Sequence, residues 1–339
     1  MPTKIAINGF GRIGRAAFKL ILENKKLQVV AINDLMDNET LAQLLRYDTV
    51  YGKYNKTVVA AKEGIKVNGK LYPVVAEKEP SKLPWKKYQV DVVLECTGRF
   101  TNKQDSMGHI KAGAKKVVIS APAKDDQTQT LVFGTQETED NLKNGKTDSV
   151  VSNASCTTNC ISPVMQVLAS KFGIQKALMT TVHSYTADQN LVDGPHKDLR
   201  RARAAAHNIV PTTTGAAIAT TKVVSELENL FDGVSIRVPT ICGSISDITA
   251  LLKVENVTVE QINNAFKQAV KNPMFKKVLI VSNEPLVSTD IIGTRESAIV
   301  DLSLTKVVGG NLVKVFAWYD NEVGYSLRLV EMAQAIAKK

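Results

Sequence analysis

Cysteine is sparse here. Four in 339 residues do not suggest the disulfide framework of a small secreted domain. No stretch approaches the ~18 uninterrupted apolar residues of a membrane-spanning helix. The N-terminal run MPTKIAINGFGRIGR carries charges and glycines that a signal peptide lacks. A cytoplasmic location, with no membrane partner, is therefore the expectation. There is no internal repeat and no low-complexity linker. No set of histidines, cysteines and carboxylates has zinc-site spacing, so no metal is expected. Basic runs such as Lys86-Lys87 and Lys115-Lys116 are short and lack the density of a nucleic-acid-binding arm, which leaves nucleic acid a weak secondary partner.

What is present is an ordinary globular balance, with 44% hydrophobic and 22% charged residues. The length corresponds to about two domains, and a chain of this size buries enough surface to need no covalent staple. The net charge of +10 favours anionic ligands such as phosphorylated metabolites or nucleotides.

Apolar runs alternate with helical segments from the start. Residues 4–8 read as a strand, 11–24 as a helix and 27–33 as a second strand. The runs 90–96 and 116–120 carry adjacent β-branched residues without alternation, the mark of strands buried on both faces. This order predicts a parallel sheet wrapped by helices. Beyond about residue 150 the character changes. A helix over 156–172 precedes long β-rich runs at 177–184, 235–239, 244–255, 296–301 and 312–318, which predict a mixed or antiparallel sheet. An amphipathic helix over 324–338 closes the chain. The arginine-rich segment 188–211 has no clear period, and a loop of that length is usually functional or an interface.

Gly9-Phe10-Gly11-Arg12-Ile13-Gly14 fits G-x-G-x-x-G between a strand and a helix. The first glycine makes a tight turn and the second admits a pyrophosphate close to the backbone. The third lets helix and strand pack, and the helix N-terminus adds partial positive charge. Asp34 ends the second strand roughly 20 residues after the last glycine, where a ribose-binding acid belongs. An aspartate there repels a 2′-phosphate, so NAD is expected over NADP.

The densest chemical signal is Ser152-Asn153-Ala154-Ser155-Cys156-Thr157-Thr158-Asn159-Cys160. Cys156 opens a helix, a position that lowers a thiol pKa and favours the nucleophilic thiolate. Cys160, one turn on, reads as a small buried hydrophobe. His183 ends a strand-like run and can serve a thiol as base or cation. His109 lies on the cofactor side, and His196 and His207 sit among the arginines of the long loop. Pro211-Thr212-Thr213-Thr214-Gly215 offers hydroxyls and an amide suited to an anion. Arg237 closes another strand with a phosphate-binding fork.

These motifs, with Thr181-Val182-His183-Ser184-Tyr185-Thr186, Arg200-Arg201-Ala202-Arg203-Ala204-Ala205 and Trp318-Tyr319-Asp320-Asn321-Glu322, resemble the phosphorylating glyceraldehyde-3-phosphate dehydrogenases, in order over nearly the whole chain. The resemblance implies an α/β fold. A Rossmann-type parallel-sheet NAD domain (1–155) is joined to an α+β catalytic domain with a mixed or antiparallel sheet (156–321). A C-terminal helix (322–339) would pack back on the NAD domain, and the assembly would be a homotetramer.

By the same resemblance Cys156 is the nucleophile and His183 its base. Gly9, Gly11, Arg12, Ile13, Asp34, Lys78, Thr97, Phe100, Ser120 and Asn321 line the NAD. Thr186 and Arg237 hold the phosphate of glyceraldehyde 3-phosphate. Ser155, Thr157, Thr214, Gly215 and Arg203 surround the incoming inorganic phosphate. The 188–211 loop crosses toward a neighbouring subunit, and Gly194-Pro195 within it accords with NAD. The family's reaction oxidises the aldehyde through a thiohemiacetal and a thioester on the cysteine.

Lys78, Ala187, Ile241-Cys242-Gly243 and Val323 depart from the family's common residues and bear on cofactor and substrate affinity. Two rivals follow: an erythrose-4-phosphate dehydrogenase, and a basic nucleotide-fold protein that binds RNA or surfaces.

Overall fold

The computed structural model describes residues 1–337; Lys338 and Lys339, where the expected closing helix ends, lie outside the described residues. The chain divides into two compact units. One comprises Met1–Leu131, Asn141–Ala154 and the segment from Ser326 onward; the other comprises Val132–Asp140 and Ser155–Tyr325.

The first unit contains β1 (Thr3–Asn8), α1 (Arg12–Ile21), β2 (Leu27–Asn33), α2 (Asn38–Arg46) and a small ribbon of β3 (Tyr47–Asp48) and β4 (Gly52–Lys53). There follow β5 (Val58–Ala61), β6 (Gly64–Val67), β7 (Lys70–Val75), α3 (Trp85–Tyr88), β8 (Val92–Glu95), α4 (Lys103–Lys111), β9 (Lys116–Ile119), β10 (Gln129–Thr130) and β11 (Val150–Ser152). Nine strands form one sheet in the order β10-β11-β9-β8-β1-β2-β7-β6-β5. From β10 to β7 every pairing is parallel; β6 and β5 complete the edge antiparallel. Ile5, Ile7, Val92, Val93, Leu94, Val117, Val118 and Ile119 are fully buried, each contributing about 1.5–3 kcal/mol. That burial on both faces is why these runs do not alternate.

The expected strand at 90 starts two residues later: the Val90 amide is taken by the Trp85 carbonyl in the turn after α3, and Asp91 bonds Lys4 of β1 just ahead of β8. The meander β5–β7 was not visible as strands, since its short runs are broken by Gly64 and Gly69.

The chain passes through α5 (Gln136–Asn144) to the second unit. Its elements are α6 (Cys156–Phe172), β12 (Ile174–Ser184), β13 (Val210–Thr213), α7 (Ala216–Thr221), β14 (Phe231–Val238) and β15 (Ser244–Leu252). These are followed by α8 (Val259–Ala269), β16 (Leu279–Ser282), β17 (Ala298–Val308), β18 (Leu312–Tyr319) and α9 (Val323–Ile336). The seven-stranded sheet runs β13-β14-β12-β15-β18-β17-β16. It is mixed: β12 lies parallel to β14 and antiparallel to β15. Helix α6 starts where Ser155 caps the Thr158 amide, and it is buried from Thr157 to Ala169. The segment 188–211 is free of regular structure until β13. From Ser326 onward α9 groups with the first unit, where Asn24 Nδ2 donates to Gln334 Oε1 at 2.7 Å. Among the described residues no helix is long and apolar enough to cross a membrane.

Candidate active site

At the C-terminal ends of β1, β2 and β8 the first unit holds a cavity of about 290 Å³ lined by Gly9, Gly11, Asp34, Lys78, Thr97 and Phe100, among others. Its shape follows from the glycines. Gly9 has φ +91°, and a Cβ there would lie 2.8 Å from the Cys96–Thr97 backbone. A Cβ on Gly14 would lie 2.1 Å from the Gly9 carbonyl oxygen, so α1 packs against the turn only without a side chain. Gly11 instead faces open space, and as N-cap it offers no side chain to the first amides of α1. A helix start without a side-chain cap, beside an open approach, suits a pyrophosphate. Asp34 accepts from the Phe10 amide at 2.7 Å and the Met36 amide at 3.0 Å, which ties the glycine turn to the end of β2. Each carboxylate oxygen keeps a second lone pair for a ribose hydroxyl. The residues present fit a dinucleotide.

Three sequence-assigned residues of the first unit, Arg12, Ile13 and Ser120, stand apart from that lining. The Arg12 guanidinium is held by Asp48 through two bonds of 3.1 Å, so Arg12 and Ile13 offer the site the start of their helix. Ser120 hydrogen-bonds Cys96, whose thiol burial and the neighbouring Glu95 push far up.

In the second unit α6, β12 and β14 bring the chemistry together. Cys156 Sγ lies 3.4 Å from His183 Nε2. His183 Nδ1 lies 2.7 Å from the Ser184 carbonyl oxygen and 3.0 Å from Arg237 Nη1. The shorter contact takes the ring proton on Nδ1, and in that tautomer the Nε2 lone pair faces the thiol. His183 and Arg237 are register partners on parallel β12 and β14, and Arg237 Nη1 donates to the Ser184 oxygen at 3.2 Å.

The expected lowering of the Cys156 pKa does not survive burial. Burial pushes the thiol up, against the pull of Arg237 and the amides at the helix start. Burial, then the charges of Arg237 and Arg201, pushes His183 down to about 3. Burial favours the uncharged form of both groups, and an uncharged imidazole is the form that can accept a proton. Cys160 is buried as expected, 3.7 Å from the Ala317 oxygen.

Ser155 caps α6 and contacts the Thr158 hydroxyl at 2.8 Å. Thr157 is buried and its hydroxyl meets Tyr319 Oη at 2.9 Å. Thr186 follows β12 in a turn closed by the Gln189 amide. Thr214 receives the Ala216 amide at 3.2 Å, and Gly215 precedes α7 with open space at its Cβ position.

Arg203 stands apart from these groups. It is largely exposed and paired with Asp193 at 2.7 Å. The arginine whose charge reaches both His183 and Arg237 is Arg201. It donates to Thr212 Oγ1, Asp188 and the Thr213 oxygen. In an aperiodic run holding three arginines, spacing alone could not separate them.

Sequence reasoning also missed two supports. Buried Tyr319 stands edge-on to His183 at 5.9 Å, its hydroxyl touching both Thr157 and Thr181. Burial keeps that hydroxyl protonated. Ser244 Oγ receives the Ser184 amide at 3.1 Å and donates to Asn321 Oδ1 at 3.0 Å. The Gly243 amide also donates to Asn321 Oδ1, and the Gly243 oxygen receives the Ser184 hydroxyl. Gly243 has φ +88°, and a Cβ would lie 2.2 Å from the Ser288 oxygen. The unusual Ile241-Cys242-Gly243 stretch thus anchors the neighbours of His183 and the orientation of Asn321.

Comparison with known proteins agrees with this arrangement. Residues 3–103 match the glyceraldehyde 3-phosphate dehydrogenase NAD binding domain, and residues 155–321 match the C-terminal domain of the same enzyme. Glyceraldehyde-3-phosphate dehydrogenase 1 of Bacillus cereus is 51% identical over 337 residues, covering 99% of each chain. The Geobacillus stearothermophilus enzyme of that name is 50% identical over 339 residues, covering 100% of this chain and 99% of its own. The Borreliella burgdorferi one is 48% identical over 342 residues, covering 99% and 100%. Two matched domains and half-identical relatives along the full length, on an NAD-binding Rossmann unit and a mixed-sheet unit with a thiol–imidazole pair, place this chain in the glyceraldehyde-3-phosphate dehydrogenase family.

Proposed function

We propose that this chain oxidises D-glyceraldehyde 3-phosphate with NAD and inorganic phosphate to 1,3-bisphosphoglycerate, through a thioester on Cys156. The observation that carries the mechanism is the 3.4 Å contact of Cys156 Sγ with a His183 Nε2 whose other nitrogen is tied to Ser184. As sulfur attacks the aldehyde carbon, Nε2 takes the thiol proton and a thiohemiacetal forms. The imidazolium then stabilises the developing oxyanion. NAD, when bound, supplies the hydride acceptor. The thioester left on Cys156 conserves the oxidation energy. Attack by phosphate breaks the C–S bond, releases the acyl phosphate and returns the sulfur. Covalent catalysis divides one hard step into two.

Arg237 and Thr186 take the substrate's phosphate in this reading. Arg201, in place of Arg203, joins Ser155, Thr157, Thr214 and Gly215 for the inorganic ion. Phosphates arriving beside Arg237 and Arg201 would neutralise the two charges that depress His183, so the base strengthens as the site fills. The first unit carries the cofactor through Gly9, Gly11, the start of α1, Asp34, Lys78, Thr97, Phe100 and Ser120. Asn321 keeps its assignment to the cofactor.

A homotetramer is the assembly we assign. Leu191, Leu199 and Ile209 are strongly exposed along the 188–211 loop. An open groove of about 1030 Å³ on the mixed sheet shows Leu178, Ile218 and Leu312. Apolar surface of this kind marks interfaces; a monomer by sedimentation at micromolar concentration would count against the assignment. We place the protein in the cytoplasm, in line with four cysteines and no disulfide.

The test is NADH formation from each sugar phosphate, with and without inorganic phosphate. Phosphate-dependent turnover of glyceraldehyde 3-phosphate is expected. Higher kcat/KM for erythrose 4-phosphate, without acceleration by phosphate, would overturn the substrate.

A further inference from the structure

Behind the cavity of the first unit lies a buried polar relay centred on Glu95, to which Thr97 alone of the assigned residues belongs. Glu95, at the end of β8, is 1% exposed and does not line the cavity itself. Its Oε2 receives Asn8 Nδ2 at 2.5 Å and His109 Nε2 at 3.0 Å. Its Oε1 receives the Thr97 amide at 2.8 Å and the Thr97 hydroxyl. The histidine's role is fixed from behind. Trp85 Nε1 can only donate, and it lies 2.9 Å from His109 Nδ1. Nδ1 therefore accepts, the ring proton sits on Nε2, and His109 donates to Glu95. All four partners are donors, the pattern an ionised carboxylate requires. Glu95, His109 and Trp85 are all at most 1% exposed.

Beyond Glu95 the relay continues along the cavity wall. Asn8 Oδ1 receives Asn33 Nδ2 at 2.6 Å. Asn33 in turn holds the Glu77 backbone from both sides, through the Glu77 oxygen and amide, each at 2.9 Å. Asn8, Asn33, Glu77 and Thr97 all line the cavity. One buried carboxylate thus fixes the ends of β1 and β2, the segment beside Lys78, and Thr97. Burying an ionised carboxylate is costly unless every lone pair is met, and a cheaper apolar residue would hold the core of β8 equally well. The arrangement makes sense as a template for the cavity wall.

We propose that Glu95, held by the His109 donor, is the positioning residue of the dinucleotide cavity, acting through Asn8, Asn33 and Thr97. The inference rests on the reading that this cavity takes NAD.

Calorimetric titration with NAD tests it, with iodoacetamide alkylation of Cys156 as a reading of the other unit. In Glu95→Gln one oxygen becomes an amide that faces donors. Kd for NAD should rise about ten- to a hundred-fold, while alkylation in the absence of NAD keeps the wild-type rate. His109→Leu and Trp85→Phe provide a matched pair should the first variant misfold. Both thin the same core, but only His109→Leu removes a donor from Glu95. His109→Leu should raise Kd several-fold and Trp85→Phe should leave it within about twofold. Wild-type Kd in folded Glu95→Gln, or equal effects of the matched pair, overturns the proposal. Loss of alkylation together with NAD binding would show a merely structural role and overturn it too. A wild-type chain that does not bind NAD would instead sink the underlying reading.

Discussion

Around Gly9–Gly14 the first unit offers backbone. It presents an uncapped helix start, a glycine facing open space, and one aspartate that ties the turn in place. Around Cys156 the second unit offers side chains: a thiol, an imidazole, two arginines and a tyrosine, drawn from α6, β12, β14, β18 and the 188–211 loop. Backbone amides keep their charge distribution at any pH and tolerate substitution, provided the glycines stay. Buried titratable groups depend on one another, since burial and neighbouring charge set each protonation state. Damage should therefore be local and graded in the first unit but abrupt and coupled in the second.

The largest effect should come from Cys156→Ala. Turnover should fall by a factor on the order of 10⁴ or more, as for other covalent nucleophiles, while calorimetry still finds NAD bound. Loss of NAD binding would break the division of labour between the two units. Arg237→Ala should raise KM for glyceraldehyde 3-phosphate about ten- to a hundred-fold, the worth of a charge-assisted bond to an anion. The loss should be much smaller for unphosphorylated glyceraldehyde, which brings no phosphate to the arginine. The same change removes a positive charge that favours the thiolate. The pH profile of Cys156 alkylation should accordingly move to higher pH; a shift to lower pH would refute the electrostatic coupling.

Asp34→Ala should act on the cofactor alone, weakening NAD as the glycine turn loses its tie and narrowing the NAD over NADP preference about tenfold through lost charge repulsion and a lost ribose acceptor. Equal use of both cofactors by the wild type would show that Asp34 does not face the ribose. The smallest effect should follow Ser244→Ala, which leaves the Ser184 amide without its partner. A roughly three- to tenfold fall in kcat is expected, accompanied by an altered alkylation profile. An unchanged profile would mean that Ser244 does not hold the base.

The same contrast explains what could be read from sequence. The cofactor turn is local: glycine spacing, one strand and one aspartate lie within about 30 residues, the span of a βαβ unit. Cys156 and His183 were also legible, one at a helix start and the other at a strand end. Their mutual geometry was not, because it depends on how α6 packs against β12. The thiol's pKa direction was misjudged, since sequence shows the helix N-terminus but not the burial that outweighs it. Arg201 was passed over for Arg203 in a loop without period. Glu95 stayed hidden within an apolar run, where nothing announces that Asn8, Thr97 and His109 converge on it.

The most direct test of the central claim is a single-turnover experiment with enzyme, NAD and glyceraldehyde 3-phosphate in the absence of phosphate, followed by peptide mass spectrometry. The account predicts a burst of about one NADH per chain and then a stall. The acyl group should be found on Cys156, and turnover should resume when phosphate is added. Steady turnover without phosphate, or an acyl group on any other residue, would contradict it.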